Sequence, residues 1–151
     1  MEDYTVRPSG AYRRFHLLFL GVGLFLALIT TAEANIYFFT KVMQNCQHYK
    51  LSGDRIQMNM DGVGTDNPTF NLTLSSRRNN FEEVLVYGYL ATGYAISRTG
   101  VNVKTVIITV IIPSAGDETK VTRADANLLA DLVSEKIDPY DFLRDIEWVV
   151  D

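Results

Sequence analysis

The stretch Leu17–Thr31 reads LLFLGVGLFLALITT, with no charged residue. No other segment constrains the chain so strongly. A helix needs about 20 predominantly apolar residues to cross about 30 Å of hydrocarbon. The uncharged core is slightly short of that. The wider window from Phe15 to Phe39 is long enough, and holds one charge, Glu33, and one histidine, His16. Tyr12 and Phe15 lie at one end, and Tyr37, Phe38 and Phe39 at the other. Aromatic residues favour the two membrane–water interfaces, so this placement supports a spanning helix. The expected division is a tail over 1–14, an anchor over 15–39, a linker over 40–54 and an extracytoplasmic domain over 55–151.

Arg13 and Arg14 abut the apolar run, and Arg7 lies further out; on the other side only Lys41 is close. The excess of positive charge puts the N-terminus in the cytoplasm of an inner or plasma membrane, and the domain in the periplasm or outside the cell. The same features suit a secretory signal, with Ala32-Glu33-Ala34 as its cleavage site. Retention is favoured because the apolar helical pattern continues past that site through Ile36, Tyr37, Phe38, Phe39, Val42 and Met43. Glu33 lies either at the headgroup level in water or against a polar group of a neighbouring subunit. A carboxylate at the bilayer centre would cost roughly 2.5–3.5 kcal/mol on insertion scales.

Beyond the anchor, Ile56, Met58 and Met60 alternate with polar residues, and so do Phe70, Leu72 and Leu74. Two strands joined across Gly62–Pro68 form an antiparallel hairpin. Asn79 or Asn80 caps a following helix, with Glu82 and Glu83 in its first turn and Gly100 just past its end. From Val84 to Ile96 that helix is apolar or aromatic on nearly every side, apart from Thr92. Gly88, Ala91, Thr92 and Ala95 make a small-residue stripe for close packing. Val101–Ile112 reads as a central strand. Pro113–Lys120 reads as a loop, and Thr122 with Asp125 as the capping box of an amphipathic helix reaching about Lys136. Asp138-Pro139 opens a short helix, and the alternation around Trp148 ends the chain on a strand. The expected fold is a small two-layer α+β domain in the order β-β-α-β-α-short α-β.

The residues carry little chemistry. One Cys and two His make no zinc cage. Gln57-x-Asn59-x-Asp61-Gly62 lacks the first and last acids of a calcium loop. Gly62-Val-Gly64 is followed by neither a third glycine nor a helix, and no nucleophile elbow is present. Asn71-Leu-Thr73 is a glycosylation sequon inside an expected strand. From Asp117 to Asp151 there are four basic and ten acidic residues, a balance that disfavours nucleic acid. No catalytic residue, metal ligand or cofactor site is expected, and a small-molecule ligand is not favoured.

These absences, with the anchor, point to a non-enzymatic accessory or scaffold subunit of a larger membrane complex, of an envelope-assembly or bioenergetic kind. The alternative is a tethered or secreted ligand-binding or sensing domain. A helix apolar on every side carries more surface than one small sheet covers. Glu33, Val86, Tyr89, Leu90 and Gly93 are therefore the candidate partner contacts, with the last helices and the Trp148 strand as an intramolecular alternative.

Overall fold

The computed structural model describes residues 34–51, 56–113 and 118–149. Its main compact unit runs Ile36–Asp151. Helix α1 covers residues 34–48. Strands β1 (Gln57–Asp61) and β2 (Thr69–Ser75) follow, then helix α2 (Phe81–Thr99). Strands β3 (Thr105–Ile112) and β4 (Glu118–Asp125) come next, then α3 (Ala126–Val133), α4 (Pro139–Asp145) and β5 (Glu147–Val149). The five strands form one mixed sheet in the order β1-β2-β3-β4-β5. Only β2 and β3 are parallel, and they are joined through α2. The fold is a small α+β domain.

Local chemistry explains most boundaries. The β1–β2 loop bends through Gly62 and Gly64, at φ 66° and 82°. Asp61 pairs with Thr69 across it, as the hairpin reading expects. Gly100 ends α2 in the left-handed region and donates to the Ile96 carbonyl. That conformation suits a residue without Cβ. Asp138 caps α4, its carboxylate accepting from the Tyr140 and Asp141 amides. Asn80 precedes α2 without a side-chain cap; its side-chain Oδ1 accepts instead from the Ser76 hydroxyl and the Arg77 amide.

Three expectations need correction. Residues 118–125 are strand β4, not loop and helix. Glu118, Lys120, Thr122 and Ala124 face one side, and Thr119, Val121, Arg123 and Asp125 the other, so neither face shows a continuous apolar stripe. Thr122 is consequently no cap. Asp125 is, accepting from the Asn127 amide at 2.7 Å. Residues 40–51 are not a linker, because Val42, Cys46 and Leu51 are buried in the core. Phe38, expected in the anchor's aromatic belt, is fully buried with its ring 4.9 Å from that of Phe70. The anchor core Leu17–Thr31 lies outside the described residues. Among the described residues no helix is long and apolar enough to cross a membrane.

The four helices among the described residues lie on one face of the sheet, with α2 at the centre of their layer. Below α2, a Cβ built on Gly88 would stand 2.7 Å from Leu74 Cδ1 and 3.1 Å from Ile108 Cδ1. On one flank is α1, where Asn45 Nδ2 donates to the Ala91 carbonyl and Tyr49 stacks on Tyr87. On the other are α3 and α4, represented by Val133 against Gly93 and Phe142 against Tyr89. Close packing leaves no slack below α2. We expect Gly88→Leu to lower stability by about 1–3 kcal/mol, the usual cost of overpacking a core. Urea denaturation of the purified chain measures it, and an unchanged midpoint would contradict the contact.

Candidate functional site

Tyr89 and Gly93 are occupied within the chain. Tyr89 is fully buried; its ring meets Phe142 at 5.0 Å and its hydroxyl lies 2.9 Å from Thr122 Oγ1. Burial pushes the Tyr89 phenol well above its ordinary pKa. Gly93 admits Val133 so closely that an added Cβ would stand 2.6 Å from its Cγ2. For these two residues the intramolecular alternative holds, because α3 and α4 fold back over that side of α2. Val86 and Leu90, one turn apart, point away from the sheet, opposite Gly88 around the helix. Val86 is buried and Leu90 half-buried. Glu33 lies outside the described residues.

The polar residues singled out in the sequence do not converge. Cys46 faces the core, where burial raises its thiol pKa to about 11, while His48, two residues on, is exposed. They cannot act as a nucleophile and base. Gln57, Asn59 and Asp61 lie on a strand, and the Asp61 carboxylate accepts from Asn59 and Asn71 at 2.8 and 2.7 Å. The Asn71 side-chain nitrogen of the sequon is thus already engaged. Among the described residues no three His, Cys, Asp or Glu side chains group as metal ligands. Glu118 is held below the usual carboxylate range by Lys120 and then Arg78, a surface ion cluster at the end of the sheet.

A groove of about 270 Å³ runs between α2 and α3, lined by Gly93, Ile96, Leu129 and Val133 with Ser97 and Ser134. The Ser134 hydroxyl bonds the Ala130 carbonyl. The groove offers no converging set of polar groups, the feature that gives a small-molecule site its specificity. The aromatic residues that would line a ligand cavity are also dispersed. Tyr87 stacks on Tyr49, Tyr89 points to the opposite flank of α2, and Trp148 meets Phe81.

What remains is the sheet face opposite the helices. Strand register places Asn59, Asn71, Ile107, Arg123 and Glu147 in one row across all five strands. The next row is Gln57, Thr73, Thr109, Val121 and Val149. Ser75, Ile111 and Thr119 form a third, shorter row. Carboxamides thus occupy the β1 side, branched apolar and hydroxyl side chains the middle, and the Arg123–Glu147 ion pair the β5 side. Among the described residues no helix packs on this face. Ile107, Ile111 and Val121 are half-buried by their strand neighbours, and Val149 is exposed. Sequence reasoning missed Val121 and Thr119 as surface positions because it missed β4. The alternation of β3 was hidden because its outward residues Ile107 and Ile111 are as apolar as its inward ones.

Comparison of the chain with family models, curated proteins and solved structures finds no match.

The Tyr89–Thr122 pair tests whether that flank of α2 belongs to the chain's own core. Thr122→Val removes the partner of a buried hydroxyl, and we expect a loss of about 1–3 kcal/mol. Adding Tyr89→Phe removes the stranded group and recovers much of that loss. A double-mutant cycle by urea denaturation measures the coupling, and strictly additive losses would contradict it.

Proposed function

We propose that the chain is a non-enzymatic, single-pass accessory or scaffold subunit of a larger membrane complex, of an envelope-assembly or bioenergetic kind. In this reading Leu17–Thr31 anchors it and the N-terminal arginines stay in the cytoplasm. The folded unit then stands on the periplasmic or extracellular side, where another subunit covers the helix-free sheet face. The observation that carries the reading is that face: a five-strand surface with Ile107, Ile111 and Val121 toward its middle, Val149 on the β5 edge, and amides and charges around them. Aliphatic side chains surrounded by polar groups are the usual composition of a protein–protein contact surface. The expected partner contact therefore moves from Tyr89 and Gly93, which the chain itself covers, to this face, while Val86 and Leu90 stay candidates on the side of α2 away from the sheet.

Detergent extraction of the membrane-bound chain, followed by identification of the proteins that travel with it, tests the proposal. Ile107→Glu is the informative variant. Arg123 lies directly across from Ile107 on β4, so the new carboxylate gains an opposite charge within the sheet. We expect thermal stability to change by no more than about 1 kcal/mol, the span of strand propensities, while the co-purifying subunit is lost. Retention of the subunit by a folded Ile107→Glu chain would remove the sheet face from the proposal.

A further inference from the structure

Six large hydrophobic side chains are exposed among the described residues, and their distribution is uneven. Ile36 and Tyr37 are on the first turns of α1, at 66 % and 53 % exposure, and Val63 is in the β1–β2 loop at 49 %. These three share one end of the domain. Phe38 and Phe39 both pack against Phe70, the second residue of β2, so the start of α1 and the hairpin loop lie side by side. The Lys104 amide donates to the Pro68 carbonyl, and the Lys104 carbonyl accepts from Ala126, which brings the α2–β3 and β4–α3 connections to the same end. The Lys41 ammonium sits over the Tyr37 ring at 5.4 Å. Arg98, Lys104, Asp66 and Asp125 add charge of both signs to that end, while the Asp61 carboxylate is held by its two carboxamides. The other three, Tyr140 on α4 and Trp148 and Val149 on β5, lie away from that end; Trp148 pairs with Thr122 at mid-sheet and its ring meets Phe81 at the start of α2.

We infer that this end of the domain rests on the membrane surface, with Ile36, Tyr37 and the Val63 loop tip in the headgroup layer. The inference depends on the anchor of the preceding proposal. Thr31, the last residue of the uncharged run, lies five positions before Ile36 (36 − 31 = 5). Five residues reach at most about 18 Å even when fully extended, so an anchored domain is held close to the bilayer by the end where α1 begins. An aliphatic, a tyrosine and a neighbouring lysine are the residue types that partition into the interface. Val63 belongs to a loop 27 positions beyond Ile36 (63 − 36 = 27), so nothing in the tether itself requires it to touch lipid. Its exposed apolar side chain, at the same end as Ile36 and Tyr37, is what gives the domain a lipid-facing end and not merely a nearby one.

The test uses the full chain in vesicles of phosphatidylethanolamine and phosphatidylglycerol that carry a headgroup-level nitroxide quencher. Single reporters go on Val63→Cys, Ile36→Cys and Asn79→Cys; the last is exposed at the far end of β2. Cys46 is buried with a raised thiol pKa and so labels slowly. Flotation is read first. If the chain floats and the reporter at 63 loses fluorescence to the quencher as that at 36 does, while that at 79 does not, the inference stands. If it floats and only the reporter at 36 is quenched, the domain stands off the surface; the inference fails and the anchor survives. If it does not float, the anchor fails and takes the inference with it.

Discussion

The structure depends on how α2 is enclosed. Its sequence is apolar or small almost all round, so it has no solvent face of ordinary size. Gly88 is what allows the enclosure to begin. Without a Cβ at that position the helix settles onto Leu74 and Ile108, a side chain's thickness closer than it otherwise could. Once α2 sits that low, α1 reaches one flank through Asn45 and Tyr49, and α3 and α4 reach the other through Val133 and Phe142. The buried hydroxyls are then satisfied internally: Thr92 bonds the Gly88 carbonyl, and Thr122 meets Tyr89. Among the described residues no buried side-chain polar atom is left without a partner.

This arrangement has a functional consequence. The four described helices are all drawn to α2, and among the described residues none lies on the opposite face of the sheet. That face is a by-product of the packing, and it leaves Ile107, Ile111, Val121 and Val149 uncovered among the described residues. In a two-layer domain of this size an uncovered sheet face tolerates polar residues at every outward position. Branched aliphatic residues at its centre are therefore informative, and they motivate the proposal that a second subunit covers them. The lipid-facing end proposed for α1 and the hairpin loop is at right angles to this surface, at the ends of the strands. One domain could use both together.

Much of this fold was legible in the chain. The β1–β2 alternation, the Gly100 terminus of α2, the Asp138-Pro139 start of α4 and the Trp148 strand each carry a local signal of one or two residues. What was hidden has a physical reason in each case. Strand β4 carries Glu118, Lys120 and Thr122 on its inward side, because that side runs beyond the helices into solvent at one end and buries a paired hydroxyl at its middle. Alternating apolar residues never appear. Phe38 and Val42 extend the apolar helical pattern of the expected anchor past Glu33, so hydropathy alone could not divide lipid contacts from core contacts. The contact surface was sought on α2 because its apolar excess was visible, whereas the helices that cover it are distant in sequence. The candidate sheet face could be drawn only once the strand register was known.

Amide hydrogen exchange on the purified chain tests the central claim, that α2 is packed below and on both flanks by its own chain, most directly. Amides inside a cooperative core exchange only through global unfolding. The account predicts that the amides of Val84–Ala95 are protected as strongly as those of β3, and that this protection is unchanged when the protein is diluted. Faster exchange in α2 than in β3, with protection that weakens on dilution, would contradict it and return the apolar surface of α2 to an intermolecular role.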